Sequence, residues 1–201
     1  MNPVIYQDDA LLTADKPAGL LAVPGRGADK QDSLYTRILQ QFPDALIVHR
    51  LDMATSGLIV FARGAEMQRA LSRMFRERKV EKRYVALVEG EMENAEGEIT
   101  LPIMADWPNR PKQKVDVAGK PSHTRYRVMS FAESVTRLEL EPVTGRTHQL
   151  RVHLAAIGHP IIGDTLYDGQ AAERLMLHAQ SLRFAHPGSG ALVEIFSETP
   201  F

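Results

Sequence analysis

The segment His49-Arg50-Leu51-Asp52-Met53-Ala54-Thr55-Ser56-Gly57-Leu58 lies between two apolar runs, Ala45-Leu46-Ile47-Val48 and Leu58-Ile59-Val60-Phe61-Ala62. Both runs have the length and the β-branched content of buried strands. The segment between them supplies a cation, a carboxylate, two hydroxyls and a glycine, and charged groups are costly near a core unless they are paired. This turn therefore either presents Asp52 for chemistry or is an ordinary turn in which Asp52 caps the backbone. Local chemistry leaves both interpretations open.

Length and composition are those of an ordinary globular protein. The chain has 201 residues, of which 44% are hydrophobic and 24% charged, enough for one large domain or two small ones. It contains no cysteine, which excludes disulfides, thiolate metal ligands and thiol nucleophiles. The N-terminus lacks the pattern of a signal peptide, and no apolar run approaches the roughly 20 residues that span a bilayer. We therefore expect a cytoplasmic protein without a membrane segment.

The net charge is −1, but the cations are concentrated in two zones. Residues 63–83 carry eight cations and three anions, and residues 109–125 carry five cations and one anion. Such zones neutralise phosphates locally even in a protein of low net charge. On charge alone, a solvated surface with salt bridges is the alternative interpretation.

The hydrophobic pattern predicts many strands and a few helices. A hairpin is expected over residues 4–14, an amphipathic helix over 65–78, and antiparallel strands over 124–129 and 135–141. A further helix is expected to begin at Thr144-Gly145-Arg146-Thr147 and to end at Gly158. Residues 1–201 are thus interpreted as a single α+β domain with a mixed, mainly antiparallel sheet.

The segment Asp106-Trp107-Pro108-Asn109-Arg110-Pro111-Lys112-Gln113-Lys114-Val115 has neither a helix period nor a strand period. Its prolines favour an extended or turned loop. The segment holds the only tryptophan of the chain beside three cations. Proteins that bind single-stranded RNA combine a cation for phosphate with a planar group for bases. The alternative is a loop that Trp107 pins to the body of the protein.

The chain lacks the sequence motifs of several catalytic classes. The seven histidines show no His-Glu-x-x-His pattern, so no metal site is predicted. The chain also lacks the phosphate-binding P-loop and the Gly-x-Ser-x-Gly elbow of serine hydrolases. A lone carboxylate, Asp52, remains, with arginines and a tyrosine available to gather around it.

Five motifs, in the same order along the chain, resemble those of the RluA-type pseudouridine synthases. They are Asp15-Lys16-Pro17-Ala18-Gly19-Leu20, His49-Arg50-Leu51-Asp52 with Thr55-Ser56-Gly57-Leu58, Lys82-Arg83-Tyr84, Thr144-Gly145-Arg146-Thr147-His148-Gln149-Leu150-Arg151-Val152-His153, and Leu177-His178-Ala179. One such motif would be suggestive, whereas five in order are highly specific. The resemblance covers essentially the whole chain.

The resemblance implies a mixed sheet with a central cleft, no cofactor, and the isomerisation of uridine to pseudouridine in RNA. Asp52 matches the essential catalytic aspartate, Arg151 the arginine that pairs with it, and Tyr84 the tyrosine that packs on the target base. Arg50 matches the arginine that takes the place of the flipped-out base, and Leu177 an apolar wall of the pocket. Whether the aspartate attacks covalently or first removes a sugar proton stays open.

The loop that contains Trp107 narrows the resemblance to the dual-specificity branch of this family. That branch acts on the tRNA anticodon stem-loop, at uridine 32, and on a 23S rRNA hairpin around uridine 746. A relative with a single tRNA or rRNA target, a non-catalytic RNA-binding protein and an Asp-nucleophile hydrolase are the alternatives.

Many relatives carry an additional RNA-binding domain of the S4 type before the catalytic domain. Here the catalytic domain is expected to begin at Val4, which leaves no room for one, so RNA affinity must come from the body of the protein. We expect a monomer without a small-molecule cofactor. The cations and the histidine expected to contact RNA are Arg76, Lys79, Lys82, Arg110, Lys112, Lys114, Arg146 and His148.

Overall fold

The structure is a computed structural model that describes residues 3–201. The described chain forms two compact units, one of residues 3–82 and 179–200 and the other of residues 83–178 and 201. Residues 3–201 contain twelve strands and three α-helices, and this part of the chain holds no further domain. The expected α+β class with a mainly antiparallel sheet is therefore confirmed.

The first unit contains six strands, four of which form two hairpins. Its strands are β1 (Val4–Gln7), β2 (Leu11–Lys16), β3 (Ala45–Ile47), β4 (Ser56–Arg63), β12 (Leu192–Phe196) and, from residue 179 onwards, β11 (Leu177–Ala185). Strand β4 pairs antiparallel with both β2 and β3, and β11 pairs antiparallel with β12. The hairpin β1–β2 confirms the one expected over residues 4–14.

Strand β4 is buried along almost its whole length, as its continuous apolar sequence predicts. Leu58, Val60 and Ala62 belong to a core that includes Leu71 of helix α2 (Gly64–Arg76). This helix was expected to run to residue 78 but ends two residues earlier. Arg78 has a φ of +60°, a left-handed conformation that cannot continue a helix. The short helix α1 (Leu34–Leu39) precedes β3 in the chain and begins with a capping box at Ser33.

The second unit holds a four-stranded antiparallel sheet and a separate hairpin. Its strands are β5 (Glu81–Glu89, from residue 83 onwards), β6 (Glu96–Ile99), β7 (Ile103–Ala105), β8 (Gln113–Val115), β9 (Thr124–Ala132) and β10 (Val135–Pro142). The sheet order is β5-β10-β9-β6, and β7 pairs with β8 alone. The antiparallel pair β9–β10 confirms the expected strands over 124–129 and 135–141.

Two expectations for this unit were wrong in detail. The segment around Trp107 was expected to lack a strand, but its end forms β8, which pairs with β7 as the amide of Asp106 donates to the carbonyl of Lys112 at 3.0 Å. Helix α3 (Gln149–Ala156) begins later than expected, because His148 has a φ of +53° that no helical residue adopts. Its end fits the expectation, since Gly158 follows with a φ of +86°.

Candidate active site

Asp52 lies in a tight turn between β3 and β4. The amide of Thr55 donates to the carbonyl of Asp52 at 3.2 Å, which closes the turn. Asp52 is half-buried, and the hydrophobic Leu51 before it is buried within the first unit. Arg50 and Met53, by contrast, are exposed. The turn therefore holds a carboxylate at the border of the core, with an arginine on its solvent side.

The side chain of Lys16 holds the Asp52 turn in place. Its side chain is fully buried, and its ammonium group donates to the carbonyls of Pro17, Leu20 and Met53 at 2.9, 2.8 and 2.9 Å. The amide of Gly19 donates to the same Met53 carbonyl at 2.9 Å. A lysine ammonium has three N–H donors, and these three carbonyls can satisfy all of them. The residue that follows Asp52 is thereby tied to the end of β2.

His49, which had no assigned role, anchors the other side of the turn. Its Nε2 accepts a hydrogen bond from the amide of Val60 at 3.0 Å, and its ring stacks on Phe75 with centroids 4.4 Å apart. The surrounding protein atoms desolvate the ring and lower the pKa of His49 to about 3, with the nearby positive charge of Lys82 acting in the same direction. His49 is thus neutral with its proton on Nδ1, and it extends the pairing of β3 with β4.

Gly57 allows two strands to approach closely. Its φ is +111°, and a β-carbon built there would lie 2.3 Å from the carbonyl oxygen of Ala179 and 2.6 Å from its nitrogen. No side chain fits in that space. The glycine of the turn is therefore required by the backbone of β11 beside it, and Thr55 and Ser56 are buried in the same place.

In the second unit, Arg151 forms a bidentate salt bridge with Asp164. Nε lies 2.7 Å from Oδ2 and Nη2 lies 2.7 Å from Oδ1, and both side chains are buried. The guanidinium carbon also lies 5.1 Å from the ring centroid of Tyr167. Asp164 is a partner that the sequence did not reveal. The expected pairing of Arg151 with Asp52 joins residues of different units and stays a prediction.

Two polar residues of α3, Gln149 and His153, are buried in the core of the second unit. The ring of His153 is fully buried, with Nε2 2.9 Å from the carbonyl of Leu101 and Nδ1 2.9 Å from the hydroxyl of Thr124. Because a carbonyl only accepts, Nε2 carries the proton, and burial lowers the pKa of His153. Gln149 donates to the Thr124 hydroxyl at 3.0 Å. The side chains of His153 and Gln149 are therefore part of the packing of the second unit.

Further predicted site residues of the second unit are the pocket residues Tyr84 and Leu177 and His148, which is predicted to contact RNA. Tyr84 is half-buried on β5, opposite Leu140 of β10. Leu177 is buried at the start of β11. His148 lies immediately before α3, with Nδ1 2.7 Å from the hydroxyl of Tyr167. The roles of Tyr84 and Leu177 toward the base, and of His148 toward RNA, stay predictions.

The expected RNA-binding cations differ in how freely their charge is presented. Arg76, Lys79, Arg110 and Lys114 are exposed, whereas Lys82, Lys112 and His148 are half-buried. Lys79 pairs with Glu77 at 2.8 Å and Lys114 with Asp116 at 3.1 Å. Arg146 is exposed, but its guanidinium donates to the carbonyl of Pro121. Exposed pairs of this kind stabilise a fold by little, so their cations remain available to phosphates.

Residues 3–201 contain neither a cluster suited to a metal ion nor a helix suited to a membrane. The described side chains include no cluster of three or more histidine, aspartate or glutamate residues suited to a metal ion. Among the same residues, no helix has the length and apolar character needed to cross a membrane.

Sequence reasoning missed three residues that build the site. Lys16 lies in a motif that had been noticed, but its burial is not visible in the sequence. Asp164 follows the turn His159-Pro160-Ile161-Ile162-Gly163, where nothing distinguishes it from a surface residue. The hydroxyl of Tyr167 bonds to both His148 and the amide of Gln113, which no local pattern indicates.

Known structures with this fold define the class of protein. Human RNA Pseudouridylate Synthase Domain Containing 1 superposes with a TM-score of 0.84 at 29% identity, covering 100% of this chain and 84% of the human chain. Human RNA Pseudouridylate Synthase Domain Containing 4 superposes with a TM-score of 0.79 at 25% identity, covering 98% of this chain and 88% of the other. The sequence model of the RNA pseudouridylate synthase family matches residues 10–156.

The chain therefore belongs to the RNA pseudouridylate synthase family, and it is an isomerase that converts uridine in RNA to pseudouridine. It is 50% identical over 203 residues to the dual-specificity RNA pseudouridine synthase RluA of Vibrio cholerae, covering 98% of this chain and 83% of that protein. It is 51% identical over 193 residues to the protein of the same name from Escherichia coli K12, covering 93% and 88%. The resemblance inferred from the five motifs is confirmed.

Proposed function

We propose that this isomerase acts on compact RNA stem-loops and modifies two of them, a tRNA anticodon stem-loop at uridine 32 and a 23S rRNA hairpin around uridine 746. The observation that carries this proposal is identity of about half the residues, along nearly the whole chain, to enzymes named for dual specificity. Both RNAs belong to the cytoplasm, where we propose that the enzyme works as a monomer.

The reaction is an isomerisation, so no atom is lost from the nucleoside apart from exchange of one proton. The C1′–N1 glycosidic bond breaks, the base rotates, and a C1′–C5 bond forms. The hydrogen on C5 then leaves, and N1 gains a proton. Asp52 is the proposed catalytic carboxylate, acting either as the nucleophile at C1′ or as the base that removes a sugar proton. The chemistry therefore needs a carboxylate, a proton acceptor near C5 and a source of the proton that N1 gains.

The geometry of the Asp52 turn supports this assignment. A carboxylate that reacts with one bond needs a fixed position, and this turn is tied to β2 through Lys16 and to β4 through His49. Such anchoring exceeds what a turn with a merely capping aspartate needs. We assign Tyr84 to contact with the target base and proton removal at C5, Arg151 to pairing with Asp52, and Leu177 to the pocket wall.

Arg50 suits the step in which the target base leaves the stack. The reacting atoms of a uridine are not accessible within a stacked loop, so the nucleotide has to be flipped out. Arg50 is exposed and lies two residues before Asp52, in the same anchored turn. Its planar guanidinium can stack on the neighbouring bases and fill the space that the flipped base leaves.

One face of helix α2 offers a surface for the RNA backbone. Arg69, Arg73 and Arg76 are spaced four and three residues apart, which places them along one side of the helix. All three are exposed, and within residues 3–201 none forms an ion pair. At a rise of about 1.5 Å per residue, neighbouring arginines of this row lie roughly 4.5–6 Å apart along the axis, so they form a continuous row of positive charge that phosphates can contact.

Tritium release from C5-labelled uridine tests the proposal directly. Two labelled stem-loops, the anticodon hairpin and the 23S hairpin, are incubated separately with the enzyme, and a scrambled hairpin is the control. Release from both hairpins supports dual specificity, while release from one alone would assign the enzyme to a single RNA. Mapping of pseudouridine in tRNA and 23S rRNA from a strain that lacks the gene gives the cellular counterpart. Both positions are expected to lose the modification.

A further inference from the structure

Trp107 is a large apolar side chain held in solvent. Its side chain is 64% exposed, at the tip between β7 and β8, and it is the only tryptophan of the chain. The sequence interpretation in which Trp107 pins this loop to the body therefore does not fit. Large exposed aromatic groups on an ordered loop are characteristic of binding surfaces.

Other contacts hold the hairpin in place. The hydroxyl of Tyr167 accepts from the amide of Gln113 at 2.8 Å, and Ile103 packs in a core with Val152 of α3. At the tip, the side-chain amide of Asn109 donates to the carboxylate of Asp106 at 2.9 Å. The indole is therefore presented by a fixed scaffold, which lowers the entropy lost when a ligand binds.

Arg110 covers one face of the indole. Its guanidinium carbon lies 3.2 Å from the centroid of the Trp107 ring, a cation–π stack. Within residues 3–201 no aromatic ring stacks on Trp107 from the other side. Lys112 and Lys114 follow on the same hairpin and add positive charge to it.

We propose that the open face of Trp107 is a stacking platform for one unpaired base of the substrate stem-loop, with Arg110 supporting the ring from behind. This inference rests on the proposed function, because it takes the ligand to be RNA. An indole face attracts any base by stacking, and the adjacent cations attract the phosphates that flank the base. Trp107 thus contributes to affinity and selects RNAs with an unpaired base at the matching position.

The single tryptophan makes the platform directly observable. A base stacked on Trp107 quenches its emission, so titration of the Asp52→Asn variant with unlabelled stem-loop reports binding at this residue. For turnover, Trp107→Ala is expected to raise KM about 10- to 100-fold, the range that a lost base–aromatic stack produces, with a much smaller effect on kcat. Trp107→Phe should have a KM close to that of wild type. Arg110→Lys should have a raised KM, because the indole ring is then no longer supported by the guanidinium group.

Abasic scanning identifies the base. Loop nucleotides are replaced one at a time by abasic sites, and one position should weaken binding to the wild type but not to Trp107→Ala. Phe196→Ala, which removes an aromatic side chain 60% exposed on β12, is the matched control and should leave KM unchanged. The salt dependence of binding should be the same for Trp107→Ala and wild type, because stacking releases no counterions.

The outcomes separate the platform from the proposed function. If the wild-type enzyme isomerises a stem-loop while its emission does not change on binding and Trp107→Ala keeps the wild-type KM, the platform is contradicted and the function stands. If neither stem-loop is isomerised, the proposed function fails, and the platform fails with it. The fluorescence measurement uses the native tryptophan, so it decides the question even if Trp107→Ala does not fold.

Discussion

Arg151 holds Asp164 through two parallel hydrogen bonds of 2.7 Å, with both side chains out of contact with solvent. Arginine is suited to such a pair because its planar fork matches the two carboxylate oxygens. The residue expected to face the reaction is therefore also a structural residue of the second unit. Loss of activity on removal of Arg151 will therefore combine a loss of stability with a loss of its role in the reaction.

Arg151→Ala is expected to lower the free energy of unfolding by about 3–5 kcal/mol, because it leaves the Asp164 carboxylate buried without its partner. Asp164→Ala should cost a similar amount. The double variant Arg151→Met/Asp164→Leu removes both charges and fills the space, so it should be more stable than either single variant. Denaturant unfolding of the three proteins checks this, and additive losses in the double variant would contradict the pairing.

Lys16→Met should lower the free energy of unfolding by about 3 kcal/mol and reduce tritium release further than the folded fraction explains. The substitution leaves the carbonyls of Pro17, Leu20 and Met53 without their shared donor, and the Met53 carbonyl is part of the Asp52 turn. Lys30→Met, at an exposed lysine, is the control and should stay within about 0.5 kcal/mol of wild type. Equal effects of the two substitutions would contradict the anchoring role.

Gly57→Ala and Gly64→Ala form a matched pair at positive φ. Both substitutions strain the backbone, at φ +111° and +79°, but only at Gly57 would the new methyl group meet the backbone of Ala179. We expect Gly64→Ala to cost about 1 kcal/mol and Gly57→Ala at least about 3 kcal/mol, with loss of activity. Thermal unfolding compares them, and a smaller loss for Gly57→Ala would show that β11 does not constrain the turn.

His49 makes stability depend on pH in a defined window. The folded-state pKa of His49, about 3, lies below the ordinary value of 6.5. Between these two values the unfolded chain binds a proton at His49 and the folded chain does not. The contribution is constant above pH 6.5, and stability is lost as the pH falls from 6.5 toward 3. Because His49 as a whole residue is only half-buried, we expect a loss of about 1 kcal/mol at pH 5 rather than the value of the full pKa shift.

The comparison of wild type with His49→Gln isolates this group, since the other six histidines are present in both proteins and cancel in the difference. The variant should be less stable than wild type at pH 7.5, and the gap should narrow by about 1 kcal/mol at pH 5. A gap that does not vary with pH would mean that His49 is not held neutral.

The elements with a strong apolar period were predictable from the sequence. Strands β3 and β4 follow from their continuous apolar runs, whereas the hairpin β9–β10 and helix α2 follow from the spacing of apolar residues that burial of one face dictates. The start of α3 was not predictable, since the left-handed His148 and the side-chain bonds of Gln149 decide it.

The residues of the candidate site also differ in whether the sequence identified them. The motifs identified Asp52, Arg50, Tyr84 and Arg151 as candidates, but the supporting contacts of Lys16, Asp164 and Tyr167 join residues distant in the chain. Such contacts leave no local pattern, because each residue type is common where it stands. His49 illustrates the difference, as its neighbours Phe75 and Val60 become visible only in the folded chain.

The most direct test of the account is tritium release from C5-labelled anticodon stem-loop by wild type and Asp52→Asn. The variant keeps the size of the side chain and the anchored turn, so its thermal unfolding and its RNA affinity should stay close to those of wild type. We predict release by wild type and none above background by Asp52→Asn. Release by the folded variant at the wild-type rate would contradict the assignment of Asp52 as the catalytic carboxylate.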